Sequence, residues 1–259
     1  MANKERLLLV KVGGKVVENP ETLLHLITDL SKLEGRKVLV HGGGVLATKT
    51  ATALGIETTM VDGRRVTDDQ TIDVVTMVYA GLVNKRIVCL LQSLNTNAIG
   101  LCGADMNIIL SHKRPVKTVD YGWVGDVERV DGKALASLIE NGALPVIAPL
   151  THDGKGHILN TNADTIAAET AKGLSEYYDV TLVFCFEKRG VLADAACDDS
   201  VIPSLDRQSY EALKADGVIT DGMIPKLDNA FSTISHGVKE VIITHAECLT
   251  NLCQGTHIR

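Results

Sequence analysis

A chain of 259 residues is long enough for one large α/β domain or for two lobes that share a sheet. Only 3% of it is aromatic although 45% is hydrophobic, so the core is aliphatic and suits buried parallel strands better than an aromatic-rich β-sandwich. A net charge of −6 disfavours nucleic acid or an anionic membrane as the main partner, but a few local cations can still hold a small anionic ligand. No secretory signal precedes the first apolar run, and no apolar run reaches the length of a bilayer span. Six cysteines (Cys89, Cys102, Cys185, Cys197, Cys248 and Cys253) are scattered without a CxxC pair, the usage of a cytosolic protein with reduced thiols. His245, Cys248, Cys253 and His257 can be written as a zinc set, but no hairpin pattern frames them, and idle or buried thiols are the preferred reading.

Strand and helix patterns alternate along the chain. Leu7 to Val12 is an apolar run stopped by Gly13-Gly14, and Pro20 opens a helical pattern through Leu30. Val38 to Val40 is a second strand, closed by His41 and three glycines, with a helix following through Leu54. Thr67 stands three residues before Gln70, a capping-box spacing that opens a long helix towards Ser93. Ala98 to Leu101 reads as a strand, and Ser111 to Val130 as hairpin material. Asp131 caps a helix ending near Asn141-Gly142, and Leu144 to Ala148 is another strand. A turn at Asp153-Gly154-Lys155-Gly156 leads to Asn160 through Asp164 and a helix reaching Lys172. Val180 to Phe186 is a buried strand, Ser209 to Ala215 a helix, another helix follows Lys226, and Glu240 to Thr244 closes the series. Repeated βα units of this kind predict a three-layer αβα sandwich around an open, mainly parallel sheet.

Several residues stand out chemically. Two glycine clusters, Gly13-Gly14 and Gly42-Gly43-Gly44, lie at strand C-terminal ends, where open parallel sheets collect their ligands. Glycine lets the backbone approach a ligand, and N–H groups leading into a helix attract anions; either cluster alone also fits a plain tight turn. Neither is a Walker loop or a complete dinucleotide fingerprint. Lys11 interrupts an apolar strand just before the ligand edge, where a buried ammonium needs an anion; a lysine snorkelling from the strand end is the alternative. Lys226 sits at a helix start, the wrong end of the helix dipole for a cation unless something negative is near. Of Asn160, Asn162 and Asp164, helix capping explains one but not all three.

Taken in order, Lys11-Val12-Gly13-Gly14, His41-Gly42-Gly43-Gly44, Gly63-Arg64-Arg65-Val66-Thr67, Asn160-Thr161-Asn162-Ala163-Asp164 and Ile219-Thr220-Asp221-Gly222-Met223-Ile224-Pro225-Lys226 resemble the N-acetylglutamate kinases of the amino acid kinase family. The resemblance covers essentially the whole chain. It implies an N-terminal lobe, residues 1–173, for the acylated amino acid and for dimerisation, and a C-terminal lobe, residues 174–259, for ATP. By the same resemblance Lys11 and Lys226 neutralise charge on the transferring phosphoryl group, and Asp164 holds both lysines. Gly13 and Gly14, with Gly43 and Gly44, offer N–H groups to the γ-phosphate and the acceptor. Arg65 and Asn160 grip the α-carboxylate. The nucleotide lies against Glu187, Lys188, Arg189, Gly190, Val191 and Leu192 and against Val218, Ile219 and Thr220. Mg²⁺ is held mainly through the nucleotide phosphates, with no protein metal site.

The chemistry agrees with this picture. A carboxylate acceptor is already ionised at neutral pH, so the reaction needs alignment and screening of two anions more than it needs a general base. An arginine fork binds a carboxylate bidentately, which suits Arg65, while Arg64 beside it reads as a surface charge. Two segments depart from the family pattern. Phe186-Glu187-Lys188-Arg189 stands where a Ser/Thr-Asp pair is usual, and Gly103 to Asn107 with the hairpin after it differs near the acyl pocket. N-succinyl-L-glutamate is therefore a rival substrate. A non-catalytic ligand sensor is the alternative from another class, disfavoured because Lys11, Lys226 and Asp164 are all present. Only about six residues precede the first strand, fewer than the ~12 an isolated helix needs. The resemblance associates arginine inhibition with an added N-terminal helix, so the expectation is a cytoplasmic homodimer insensitive to arginine.

Overall fold

The computed structural model describes residues 4–194, 196–220 and 223–259. Fourteen strands and nine α-helices are defined among them. Strand β1 (Arg6–Val12) is flanked on both sides by parallel neighbours, β2 (Arg36–His41) and β11 (Asp179–Phe186). The sheet extends beyond β2 through β8 (Leu144–Ile147) to β5 (Ala98–Leu101), and beyond β11 through β13 (Glu240–His245) and β14 (Thr256–Ile258) to β12 (Ser204–Leu205). All of this is parallel except the β13–β14 pairing. Strand β14 is one the sequence does not announce. It is three residues long and follows two short 3₁₀ turns, so its pattern is too brief to read as a strand.

Alternation along β1 sends Leu7 and Leu9 to one face and Val10 and Val12 to the other, into two separate aliphatic cores. Helices α2 (Pro20–Lys32) and α3 (Gly44–Ala53), with the long helix Asp69–Ser93, cover the second face through Leu26, Ile27, Ala47, Val75 and Ile87. Helices α6 (Gly132–Glu140), α7 (Ala163–Ser175), α8 (Arg207–Ala215) and α9 (Ile224–Ser235) cover the first through Leu135, Ala167, Tyr210 and Leu227. The expected three layers are therefore present.

Local chemistry sets the helix starts. Asn19 accepts from the N–H groups of Glu21 and Thr22 at the head of α2, with Pro20 at its first position. Asp131 accepts from Ala134 N–H, as its position predicts. The capping box at Thr67 is a correction: Asp68 is the cap, accepting from Thr71 N–H at 2.8 Å. Thr67 instead turns its hydroxyl to the Arg65 carbonyl at 3.0 Å.

The long helix is also more than an ordinary α-helix. α4 (Asp69–Thr76) and α5 (Asn84–Ser93) are joined by a π-helical stretch, Met77–Val83, with a short α1 (Gly14–Glu18) lying earlier in the chain. Its 25 residues are long and apolar enough to cross a membrane by length and composition, against the expectation that no run reaches that length. One face of it packs into the core, however: Val74, Val75, Val78, Val83, Ile87 and Leu91 are all buried, while Met77 and Leu82 are exposed.

A second sheet, β10–β9–β6–β7, stands at the ligand end of the first. Strands β6 (Ile109–Lys113) and β7 (Gly125–Val130) form the expected hairpin. Strands β9 (Leu150–His152) and β10 (Ile158–Asn160) flank the turn at residues 153–156. A two-stranded ribbon, β3 (Met60–Val61) and β4 (Arg64–Arg65), completes this edge.

Candidate active site

Both glycine clusters sit at the C-terminal ends of adjacent strands, and their backbones touch. A Cβ built on Gly42 would lie 3.0 Å from the Gly14 nitrogen, and one on Gly14 would lie 3.4 Å from the Gly44 nitrogen. A side chain at Gly42 would press on the Gly14 backbone, which is the physical reason for glycine at that position. Gly44 opens α3 and Gly14 opens α1, so free N–H groups of both turns face the same space.

Lys11 continues the column of Leu7 and Leu9 out of the core and reaches that space. Its ammonium lies 2.6 Å from Asp164 Oδ1, on the first turn of α7, and its side chain is only 8% exposed. α7 packs on this face of the sheet through Ile166 and Ala167, which is what delivers Asp164 to Lys11. Lys226, in the first turn of α9, lies over the Phe186 ring at 4.0 Å, and Lys11 stands 5.2 Å from the same ring. Burial pushes the Lys226 ammonium below the usual lysine range, with Asp164 opposing and Lys11 adding to the shift. Asp164 and Lys226 line one cleft without forming an ion pair, so the contact of Asp164 is with Lys11.

Asn160, Asn162 and Asp164 have three different jobs. Asn162 is the cap, accepting from the N–H groups of Asp164 and Thr165. The Asn160 amide donates to Thr67 Oγ1 at 3.0 Å, and Asp164 serves Lys11. Thr67, released from capping duty, thus fixes Asn160 across 93 positions of sequence.

Two cavities meet at Lys11 and Gly14. One, of about 230 Å³, is lined by Gly43, Gly44, Arg65, Tyr79, Asn160 and Asn162, among others. The other, of about 340 Å³, is lined by Gly13, Lys15, Phe186, Glu187, Lys188 and Lys226, among others. Lys11 and Gly14 line both. In the first cavity Arg65 is buried, and its Nη2 donates to the Gly44 carbonyl at 2.8 Å and to Thr48 Oγ1 at 2.7 Å. The rest of its fork makes no hydrogen bond to a described residue and is free for an anion. Arg64 is exposed, as the sequence predicts, yet it also lines this cavity.

Of the nine residues expected around a nucleotide, Glu187, Lys188 and Gly190 line the second cavity. The other six do not line it. Arg189 pairs with Asp199, just as Lys188 pairs with Asp198. Both cations that the Phe186 segment adds are therefore neutralised by acids ten residues on. Val191 is buried, donating its N–H to Thr256 Oγ1 and accepting from Ile202 N–H. Leu192 bridges to Val201. The N–H groups of Val218 and Ile219 close α8 on the Leu213 carbonyl, and the Thr220 carbonyl receives Met223 and Ile224 at the head of α9. Asp221 and Gly222 of the same motif lie outside the described residues.

The zinc-like quartet is engaged otherwise. His257 Nδ1 meets Glu240 at 2.8 Å, and His245 accepts from Glu247 N–H. No three His, Cys, Asp or Glu side chains gather to hold a metal among the described residues. The site residues that escape a sequence reading are Lys15, paired with Glu187, and above all Tyr79. Tyr79 lies in the middle of an apolar helical run, and nothing in that pattern distinguishes it from a core aromatic.

Comparison with known proteins bears directly on this geometry. Residues 6–245 match the amino acid kinase family. An acetylglutamate kinase of Bacteroides thetaiotaomicron is 61% identical over 256 residues, with 99% of each chain covered. One from Cytophaga hutchinsonii is 54% identical over 249 residues, covering 96% of this chain and 94% of its own. Among solved structures, smu.665 of Streptococcus mutans superposes with a TM-score of 0.77 at 27% identity, covering 97% of this chain and 98% of its own. The carbamate kinase of Giardia superposes with a TM-score of 0.68 at 15% identity, a likeness of fold. With the paired glycine turns and the Lys11–Asp164 contact at the ends of a mainly parallel sheet, the chain belongs to the amino acid kinase family.

Proposed function

We propose that this protein is an acetylglutamate kinase, transferring the γ-phosphoryl group of MgATP to the side-chain carboxylate of N-acetyl-L-glutamate in arginine biosynthesis. The observation that carries the reading is the junction of the two cavities at Lys11 and Gly14. A phosphoryl group passing from one cavity to the other would cross that junction, where Lys11 and the glycine N–H groups can screen its charge. In this reading residues 1–173 hold the acylated amino acid and residues 174–259 the nucleotide, on one sheet. Arg65 and Asn160 hold the α-carboxylate. Lys11 and Lys226 stabilise the transferring group, and Asp164 orients Lys11. Glu187, Lys188 and Gly190 border the nucleotide, and Mg²⁺ arrives with its phosphates.

An ADP-release assay across N-acetylglutamate, N-succinylglutamate, glutamate and aspartate tests the reading. We expect an N-acylated glutamate to exceed free glutamate by at least about tenfold in kcat/KM, the scale of one unmade pocket contact. Efficient turnover of free glutamate would overturn it. A lead for N-succinylglutamate over N-acetylglutamate would keep the reaction and change the acyl group.

We further propose a cytoplasmic homodimer. All six thiols are free, which suits a reducing compartment, and two-fold closure is the commonest arrangement of soluble oligomers. Light scattering should give about 55 kDa, twice the 27.7 kDa of one chain. A mass near 28 kDa or near 165 kDa would rule the dimer out.

A further inference from the structure

Among the described residues, Tyr79 is the one aromatic side chain lining the proposed acyl-side cavity. It is 5% exposed, in the π-helical stretch Met77–Val83. Buried positions in this helix run 71, 74, 75, 78 and 79, and then 83, 84, 87 and 91. The gap between Tyr79 and the next buried position, Val83, falls within the π turn, and such turns recur at functional sites. The ring lies flat against the glycine loop: a Cβ on Gly43 would meet Tyr79 Cδ1 at 2.9 Å and Cε1 at 3.1 Å. This packing carries the hydroxyl past the loop to the far side of Gly44.

There it stands beside Arg65. A Cβ on Gly44 would be 3.9 Å from both the Tyr79 hydroxyl and Arg65 Nη2. Nη2 is already committed to the Gly44 carbonyl and to Thr48, and the guanidinium also acts on the phenol oxygen as a hydrogen-bond donor, which leaves the phenol O–H itself to be placed. A hydroxyl that accepts from an arginine still has its own proton to donate, and one lining a cavity can give it to whatever fills the cavity. Burial pushes the phenol up, with Arg65 opposing, so it remains a protonated donor at neutral pH. A carboxylate has about four acceptor positions, more than the free part of the Arg65 fork can occupy.

We propose that Tyr79 is a substrate-binding residue, whose hydroxyl donates a hydrogen bond to the carboxylate held by Arg65. This rests on the reading of that cavity as the acylglutamate site and extends it to a residue outside the sequence motifs. Gly43 is then the position that leaves room for the ring.

Tyr79→Phe tests the proposal, because it keeps the ring against Gly43 and removes only the donor. We expect KM and the calorimetric Kd for N-acetylglutamate to rise about tenfold, the lower end for a lost hydrogen bond to a charged group. KM for ATP, kcat and the melting temperature should stay close to those of the unaltered protein. An unchanged KM and Kd in the variant, with the unaltered protein binding normally, would overturn the role of Tyr79 alone. Parallel losses in melting temperature and in both KM values would show a packing role and overturn it too. Failure of the unaltered protein to bind or phosphorylate N-acetylglutamate would instead overturn the reading of the site on which the inference rests.

Discussion

Replacing Lys11 or Lys226 with methionine is expected to lower kcat by roughly a hundredfold or more, with a much smaller change in either KM. Methionine keeps the length and apolar stem of the lysine and removes only the charge. That charge matters most while negative charge builds on the transferring group, so its loss falls on turnover. The fold should survive both changes. Replacing Lys11 leaves the buried Oδ1 of Asp164 without its cation, so some stability is lost there, although the side chain as a whole is 30% exposed. Lys226 gives up a position over the Phe186 ring and no ion pair. Because burial holds Lys226 below the usual lysine range, it sheds its proton earlier as pH rises. Activity of the unaltered protein should therefore fall on the alkaline side before an ordinary lysine would titrate. Steady-state kinetics on the two variants decide the matter, and near-normal turnover in both would remove these lysines from the mechanism.

Acidification should destabilise the protein through His41 by up to about 3 kcal/mol between pH 6.5 and 4. His41 ends β2, is fully buried, and has its pKa pushed down to about 4 by that burial. Its hydrogen bonds explain how the neutral ring is held. Nδ1 donates to the Gly42 carbonyl at 2.8 Å, and Nε2 accepts from the Asn84 amide at 3.2 Å. The Asn84 amide is oriented by donating to the Val146 carbonyl at 2.9 Å, while its oxygen accepts from Lys85. A second proton on the ring would face an amide that can only donate. The sign follows directly. Between the unfolded value near 6.5 and the folded value near 4, the unfolded chain binds a proton that the folded chain refuses. Stability is complete above that window and is lost as pH falls through it. Urea unfolding of the protein and of His41→Gln across this range checks it, since all other groups titrate alike in both. Parallel pH slopes would rule out this role for His41.

How far the sequence could be read depended on how local the physics was. Aliphatic runs announced β1, β2 and β11, the first two with glycines at their ends, and Asp131 announced its helix, because each signal lies within a few residues of its effect. Lys11 could be singled out because an ammonium in an apolar strand is conspicuous wherever the fold places it. Asp68 rather than Thr67 capping its helix was not decidable from spacing, since either side chain can accept from the N–H three residues on, Thr71 for Asp68 and Gln70 for Thr67. What separates them is the demand of Asn160 on Thr67, from 93 residues away. Lys188 and Arg189 looked like two added charges beside the nucleotide, and only the return of the chain at Asp198 and Asp199 cancels them. Tyr79 was hidden for a different reason. It lies in phase with the buried positions 71, 75 and 78 of an apolar run, so a regular helical period gives it a core role and nothing local marks its hydroxyl.

The position of β1 has a mechanical consequence. It is the seam of the sheet, paired along Arg6↔Asp179 through Val12↔Cys185 on one side and along Leu7↔Arg36 through Val12↔His41 on the other. The two proposed lobes thus meet along a hydrogen-bonded ladder, with no hinge peptide between the parts of the sheet that carry the two cavities. Any change in the separation of the cavities must be absorbed as elastic twist across that ladder, spread over every rung. Lys11 lies one rung from its end, so it would ride with the seam as the cavities on either side rotate about it.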